Sequence, residues 1–173
     1  MKVYDGSQAE QTQETESKRR KVGIAEYEVT TNGAVLSTSG LGSCIGVALH
    51  DPTTGAGGLV HVMLPRSEDV DDGNAAKFAD TGTELLLEEM AAIGADLDEV
   101  VAKIAGGSDM LDFSDSGSGI GERNVERVRE ILSAHDVPIV AEDVGGDHGR
   151  SVQLKSTSGE YVVKSANEGS KTL

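Results

Sequence analysis

The sequence predicts a mixed α/β (α+β) fold in which two principal α-helices pack on a mainly antiparallel β-sheet. The chain has 173 residues, a length that fits a single domain with one hydrophobic core. Several short apolar runs alternate with clusters of turn-forming residues, which is typical of strands joined by hairpins. Two longer segments carry apolar residues at the spacing of an amphipathic helix. Because hairpin turns outnumber helical crossovers, the sheet is expected to be predominantly antiparallel.

Two hairpins are predicted in the first half of the chain. Apolar and polar residues alternate over 24–29, and an apolar run follows at 34–36, with the turn pair Asn32-Gly33 between them. The apolar runs 44–49 and 58–64 flank a segment rich in Thr and Gly, which also predicts strand, turn and strand. We expect the two strands of each pair to be neighbours in the sheet.

Two helices and the remaining strands are predicted in the second half. Apolar residues recur at helical spacing from Asn74 to Ile93, and Gly94 provides a stop. A second helix is expected after Gly121 and ends near His135, because its apolar residues share one face. The further strands predicted from short apolar runs are 100–104, 137–142, 152–154 and 161–164.

Both ends of the chain differ from the middle in composition. Residues 1–20 are rich in Gln, Glu, Ser and Thr, so folding them would bury too little apolar surface to offset the loss of chain entropy. Residues 165–173 have the same character. We therefore expect a disordered acidic and polar tail over 1–20, a folded domain over 21–164 and a flexible tail over 165–173.

The formal net charge of −15, from 30 acidic and 15 basic residues, limits the classes of partner. A polyphosphate would be repelled at long range, so no nucleic acid partner is expected. An acidic surface keeps a protein hydrated in concentrated salt, where charge repulsion is screened over a few ångströms. We interpret the acidity as the sign of a halophilic source. The alternative is that it only keeps an ordinary protein soluble.

The pattern of apolar residues and cysteines bears on the compartment. No apolar run approaches the roughly 20 residues that span a bilayer, and the polar N-terminus lacks the hydrophobic stretch of a signal peptide. We expect a cytoplasmic protein without direct membrane insertion. The single cysteine, Cys44, cannot form an internal disulfide, and a reducing compartment keeps its thiol free. It is either a buried spectator or a reactive group.

A motif around Cys44 is the first candidate for chemistry. The thiol follows Gly40 and Gly42 at the start of an apolar strand, and glycines let backbone N–H groups approach a substrate carbonyl. His61 interrupts the next apolar run, and an imidazole is the usual group that activates a cysteine as a thiolate. Taken alone, a buried cysteine is more often inert, and a histidine in a strand is more often a core residue.

The predicted hairpin raises a geometric difficulty for this pair. If the chain turns near Thr54, His61 faces about position 48. That position is four residues from Cys44 along the strand, a separation of more than about 10 Å. A bulge, a bend, or placement of Cys44 outside the strand ladder is then needed to bring the thiol and the imidazole together.

Two other motifs do not predict a bound ion or cofactor. The spacing of Asp109, Asp112 and Asp115 does not fit the alternating pattern of a calcium-binding loop. Residues 117–121 are rich in glycine but lack the spacing of a dinucleotide-binding turn. We expect no metal and no cofactor.

Five strings carry a family resemblance: LGSCIGVALHDP, GGLVHVMLP, KIAGGSDM, IGERNVERV and DVGGDHGR. In this order they closely resemble the CheD family of chemoreceptor glutamine deamidases, over about residues 22–164. With the acidic composition, the resemblance points to a halophilic archaeon as the source. One departure is the pair Asp147-His148 in the late glycine-rich string, so the role of that loop is left open.

The resemblance implies a set of catalytic groups. Cys44 takes the place of the family's nucleophile, His61 that of its general base and acid, and Thr38 that of the threonine that completes the site. We expect backbone N–H groups of the adjoining loop to hold the developing oxyanion. The residues of this oxyanion and substrate loop are Gly40, Gly42 and Ser43.

The resemblance also implies a reaction and its partners. The expected reaction is hydrolysis of receptor glutamine side chains to glutamate through a thioester, and hydrolysis of glutamate methyl esters is an alternative through the same thioester. Expected partners are methyl-accepting chemotaxis receptors as substrates, the CheC phosphatase and, indirectly, phosphorylated CheY. Two rival interpretations are a mainly non-catalytic regulatory partner of CheC and a transglutaminase-like enzyme that transfers the acyl group to an amine.

Overall fold

The computed structural model describes residues 19–69, 73–109, 119–166 and 168–173. Over these residues, ten strands form two five-stranded sheets, and two α-helices accompany them. The strands are β1 Arg19–Lys21, β2 Tyr27–Thr30, β3 Val35–Leu41, β4 Ile45–His50, β5 Gly57–Val62, β6 Val101–Gly106, β7 Ile139–Val144, β8 Arg150–Lys155, β9 Glu160–Ser165 and β10 Gly169–Thr172. The helices are α1 Ala79–Ala92 and α2 Ile120–Ala134, and 3-10 turns span Ser67–Asp69 and Ala75–Lys77. The predicted α+β fold class is confirmed.

The elements form three layers, with one sheet in the middle. The middle sheet has the strand order β2-β5-β4-β6-β7, and the outer sheet has the order β1-β3-β8-β9-β10. Pairing is antiparallel except for β6 with β7 and β1 with β3. The helices cover one face of the middle sheet, and the outer sheet covers the other face. Every residue of β4 and β5 is therefore buried, which explains why both strands are mostly apolar instead of alternating; the exceptions are His50 and His61.

The predicted hairpin around Asn32-Gly33 is wrong. Strand β2 pairs with β5 in the middle sheet, whereas β3 pairs with β1 and β8 in the outer sheet. Gly33 does adopt the positive φ, 82°, that an Asn-Gly turn favours. The turn instead carries the chain from one sheet to the other, because Ala34 and Leu36 bury their side chains in the core between the sheets.

The hairpin of β4 and β5 is confirmed, and Asp51 organises its loop. The Asp51 carboxylate accepts hydrogen bonds from the backbone and hydroxyl of Thr53, at 2.8 and 2.6 Å, and from the hydroxyl of Thr54 at 2.9 Å. It also accepts from the backbone N–H of Asp96 at 2.8 Å. Burial alone would raise the pKa of Asp51, but these hydrogen bonds lower it below its usual range. The carboxylate thus fixes the loop that sets the strand register.

Replacing Asp51 by alanine is expected to lower the free energy of unfolding by about 3 kcal/mol, because several donors lose a charged acceptor at a buried position. Chemical denaturation at neutral pH measures the change. The matched control is Asp98→Ala, which removes one negative charge from an exposed position of the nearby loop. Equal stability losses in the two variants would show that Asp51 contributes only its charge.

The first helix begins later than the sequence predicts. The segment from Asn74 forms a 3-10 turn, Phe78 is extended with φ −109° and ψ 142°, and α1 follows. The cause is a contact with the end of the hairpin: the backbone N–H of Met63 donates to the carbonyl of Lys77 at 2.7 Å, and Leu64 forms a bridge with Phe78. The second predicted helix is confirmed as α2, and His135 is its C-cap.

The two chain ends differ in how they relate to the predicted tails. The predicted disordered segment 1–20 lies outside the described residues as far as residue 18, and its last two residues begin β1. Within the predicted flexible segment 165–173, the structure instead has strand β10 paired with β9. Leu173 and Tyr161 also exchange backbone hydrogen bonds, at 2.9 and 3.3 Å. Such main-chain pairing leaves no signal in composition. Among the described residues, neither α1 nor α2 is long and apolar enough to cross a membrane.

Candidate active site

Cys44 lies immediately before β4, in the middle sheet, and is half-buried. It packs against the cluster of buried residues between the two sheets. Side chains alternate along a strand, so Cys44 shares its face with Gly46 and Ala48. A Cβ at Gly46 would lie 2.6 Å from the Tyr161 hydroxyl of the outer sheet, which confirms that this face points between the sheets. The thiol therefore sits at the edge of the space between the layers.

His61 is fully buried in β5 on the same face as Cys44. Its partner across the hairpin is Gly46, not position 48 as the sequence predicted. The predicted register is wrong because the loop closes between Asp51 and Ala56, where the Asp51 N–H donates to the Ala56 carbonyl at 2.9 Å. His61 is thus a diagonal neighbour of Cys44, a relation that separates residues by about 7–8 Å and lets long side chains interact. Gly46 has no side chain to separate the imidazole from the thiol.

Thr38 joins His61 from the other sheet. It lies in β3, it is buried, and its Oγ1 is 2.7 Å from Nδ1 of His61. Nε2 of the same imidazole is buried and has no hydrogen-bond partner among the described residues. When the Nδ1–H donates to the Thr38 hydroxyl, Nε2 keeps its lone pair and can accept a proton. The two sheets together therefore orient one imidazole nitrogen as a base.

Burial sets the protonation of this pair. It lowers the pKa of His61 to about 4, so the imidazole is neutral at neutral pH. Burial also raises the pKa of the Cys44 thiol, and the residue's own backbone N–H only partly offsets that effect. The sequence predicted a thiolate held by the imidazole, whereas the two pKa directions favour a neutral thiol beside a neutral imidazole at rest. A proton therefore has to move from sulfur to nitrogen as the thiol reacts.

The predicted oxyanion loop follows a β-bulge in β3. The register with β8 shifts between Thr38 and Leu41, and Gly40 adopts a φ of 73°, a conformation that favours glycine. The Gly42 N–H donates to the Gly40 carbonyl at 3.1 Å, which closes a tight turn before Cys44. Pairing with β8 resumes at Leu41, opposite Arg150, and the turn then leads the chain to β4.

The carbonyls of this loop are held by groups that the sequence analysis did not single out. The hydrogen bonds are Ser108 N–H to Gly42 O, Asn124 Nδ2–H to Ser43 O and Gly107 N–H to Cys44 O, each at 2.9 Å. Within the described part of the chain, the N–H groups of Ser43 and Cys44 donate to no other residue. Both belong to the loop that carries the thiol. Two N–H donors without a partner in another residue, next to a nucleophile, are what stabilisation of an oxyanion requires.

Asp147 and His148 lie in a separate loop. His148 is mostly buried, and its Nε2 lies 3.8 Å from a carboxylate oxygen of Glu168. Neither residue hydrogen-bonds to Cys44, His61 or Thr38 in the described part of the chain. In the same loop, the Gly145 N–H donates to the Gly106 carbonyl at 3.0 Å. Gly106 precedes Gly107, whose N–H holds the Cys44 carbonyl.

No group of three or more metal-ligating side chains occurs among the residues that the structure describes. Of the three aspartates considered from the sequence, Asp112 and Asp115 lie outside those residues. Asp109 accepts a hydrogen bond from the Gly121 N–H at 3.2 Å, at the start of α2. Its carboxylate therefore contacts the first turn of that helix.

Comparison with known proteins agrees with the motifs around this site. Residues 63–165 match the family model "CheD chemotactic sensory transduction". A protein of Haloarcula marismortui is 61% identical over 173 residues, which cover 100% of both chains. Proteins of Caldanaerobacter subterraneus and Natronomonas pharaonis are each 45% identical; the matches cover 91% and 90% of this chain and 99% and 93% of those proteins. All three are named "Probable chemoreceptor glutamine deamidase CheD". The chain belongs to the CheD family.

Proposed function

We propose that this chain is a cysteine-dependent hydrolase that converts specific glutamine side chains of methyl-accepting chemotaxis receptors to glutamate. The observation that carries the proposal is the convergence of Cys44, His61 and Thr38 between two sheets, with Nε2 of His61 unpaired. The names of the relatives supply the substrate class. We assign the activity to the domain formed by residues 21–164.

The first half of the reaction forms a thioester. As the sulfur of Cys44 attacks the carbon of the substrate carboxamide, Nε2 of His61 accepts the thiol proton. The carbonyl oxygen becomes an oxyanion, which the N–H groups of Ser43 and Cys44 are placed to stabilise. The imidazolium then protonates the amide nitrogen, the carbon–nitrogen bond breaks, and ammonia leaves.

The second half of the reaction restores the enzyme. His61 is neutral again and removes a proton from a water molecule that attacks the thioester carbon. The carbon–sulfur bond breaks, and the imidazolium returns a proton to the sulfur of Cys44. One water is consumed, one ammonia is released, and the substrate gains a carboxylate. A glutamate methyl ester would give the same thioester with methanol as the leaving group, so methylesterase activity is an alternative for the same site.

Replacing Thr38 by valine is expected to lower kcat by about 10- to 100-fold, because the imidazole loses the partner that orients it and fixes its tautomer. Valine has nearly the shape of threonine, so the buried packing is kept. Thr38→Ser retains the hydroxyl and is the matched control, for which we expect a change of only a few-fold. Initial rates of deamidation measure both, and equal rates for valine and serine would contradict the role of the hydroxyl.

A mass-mapping assay tests the function. The purified chain is incubated with the cytoplasmic fragment of a chemotaxis receptor, and each converted glutamine adds about one dalton, the mass difference that replacing an amide by a carboxylate brings. The chain contains one cysteine. Prior alkylation with iodoacetamide therefore modifies only Cys44 and is expected to abolish the mass gain. Full activity after stoichiometric alkylation would contradict a cysteine mechanism, and added primary amines appearing in the product would indicate acyl transfer to amines.

The resemblance to the family also supports two proposals about the setting. We propose that the chain binds the CheC phosphatase, and through it is linked to phosphorylated CheY. Co-elution of the purified chain with CheC in size-exclusion chromatography tests this contact, and separate elution at micromolar concentrations would contradict it.

We further propose adaptation to concentrated salt, which the net charge of −15 supports. A thermal midpoint that does not rise with molar KCl would contradict it.

A further inference from the structure

Three consecutive carbonyls of the loop that carries the nucleophile are held from outside the loop. The Ser108 N–H holds Gly42 O, the Asn124 amide holds Ser43 O and the Gly107 N–H holds Cys44 O. The described residues contain no cis peptide bond. In a trans peptide the C=O and the N–H point in opposite directions, so fixing a carbonyl also fixes the direction of the N–H that follows it.

Two of these hydrogen bonds each set the direction of one proposed oxyanion donor, the N–H of Ser43 or of Cys44. We call the groups that hold these two carbonyls anchors. The Gly42 carbonyl and the Ser43 N–H belong to one peptide group, and the Ser43 carbonyl and the Cys44 N–H belong to the next. The bond from Ser108 therefore directs the Ser43 N–H, and the bond from Asn124 directs the Cys44 N–H. Of these two anchors, only Asn124 acts through its side chain.

Asn124 has a second contact that involves the strand of the base. It lies in α2 and is fully buried, and its Nδ2 donates to Met63 O as well as to Ser43 O, each at 2.9 Å. Met63 follows β5, the strand that carries His61, and Ser43 precedes Cys44. A single amide group thus ties the segment of the nucleophile to the segment of the base.

We infer that Asn124 is a positioning residue of the deamidase, which aims the Cys44 N–H at the oxyanion and holds the loop of Cys44 against the strand of His61. The chemistry of the contact suits asparagine, because its NH2 group offers two N–H donors to two carbonyl oxygens. Its Oδ1 has no partner among the described residues. An aspartate of the same shape would turn an oxygen toward both carbonyls and lose both hydrogen bonds.

The inference rests on the proposed function and is tested with two variants of Asn124 and one matched control. Asn124→Ala removes both donors, and Asn124→Asp removes them at constant shape. Val128→Ala truncates another fully buried side chain of α2, one that has no hydrogen-bonding group. Receptor-fragment deamidation gives kcat and KM for each protein, and far-UV circular dichroism and urea unfolding report the fold.

The thiol itself supplies a second readout. Iodoacetamide alkylates Cys44 by displacement of iodide from carbon, and no oxyanion forms in this reaction. Its rate therefore depends on the reactivity of the thiol beside His61 and not on the N–H groups of Ser43 and Cys44. We expect kcat to fall by about 100-fold in both Asn124 variants, as for the loss of one oxyanion donor or a small misplacement of the reacting groups. KM and the activity of Val128→Ala are expected to stay close to those of the unaltered protein. The alkylation rate is expected to fall by less than kcat, because it depends on the position of Cys44 relative to His61 and not on the oxyanion donors.

The outcomes separate the inference from the function on which it rests. Absence of deamidation by the unaltered protein would overturn the proposed function. Normal kcat in a folded Asn124 variant would overturn the inference alone, and so would a loss shared equally with Val128→Ala. If both Asn124 variants unfold while Val128→Ala stays folded, the role is structural and the inference is also overturned.

Discussion

Replacing Cys44 by serine is expected to lower the rate of glutamine deamidation by about four orders of magnitude or more, the scale found when a catalytic nucleophile is removed. Serine is nearly isosteric with cysteine, and Cys44 is only half-buried, so the fold should persist. The loss follows from acidity: the pKa of His61 is about 4, which makes its imidazole a weak base for a hydroxyl. The mass gain of a receptor fragment over time measures the rate.

The control for Cys44→Ser is Ser39→Ala, an exposed hydroxyl one residue from Thr38 in β3. This substitution removes a similar polar atom close to the site, and we expect the rate to remain within about two-fold of the original, as is usual for surface positions. Activity in Cys44→Ser above about one percent would contradict attack by sulfur, because a residual rate of that size exceeds what the remaining groups supply. Circular dichroism confirms that both variants are folded.

The sequence predicted those elements whose signal is local. The hairpin of β4 and β5 carries its own turn chemistry in Asp51 and its threonines, and α2 carries a regular apolar face. The Asn32-Gly33 turn was misassigned because its two strands find their partners far along the chain, in different sheets. Turn residues predict that the chain bends at that position, but they do not predict which strand the following segment pairs with.

The same contrast between local signals and long-range pairing applies to the candidate active site. Cys44 was recognisable as the single cysteine that follows two glycines, and His61 because it interrupts an apolar strand. The register that makes them neighbours depends on how the loop after His50 closes. Thr38 was assigned through the family resemblance, since nothing in its own segment indicates that β3 lies over β5 in a second sheet. Asn124 was missed because a single polar residue in an amphipathic helix looks like a solvated one, although packing buries it completely.

Replacing His61 by asparagine is expected to lower the deamidation rate by about 10³- to 10⁴-fold, because the proton transfers of both half-reactions lose their carrier. Asparagine keeps a polar atom that can pair with Thr38, so the space between the sheets stays filled. The unaltered protein measured in parallel provides the reference rate. A variant that retains most of its activity would show that another group moves the protons.

The same substitution is expected to change how stability depends on pH. In the folded chain, burial lowers the pKa of His61 to about 4, whereas the pKa of a histidine in the unfolded chain is about 6.5. Between these two pH values the unfolded state binds a proton at His61 and the folded state does not. The free energy of unfolding that is present above about pH 6.5 is therefore lost as the pH falls toward about 4. Between about pH 7 and about pH 4.5 this loss amounts to about 2 kcal/mol.

In His61→Asn this contribution is absent, while every carboxylate of the acidic chain remains. Urea unfolding of both proteins at about pH 7 and about pH 4.5 therefore isolates the imidazole: the unaltered protein should lose about 2 kcal/mol more than the variant. Equal losses would mean that the imidazole titrates normally in the fold. It would then be solvated and partly protonated near neutral pH, and a base held neutral by burial could not explain the proton transfer from Cys44.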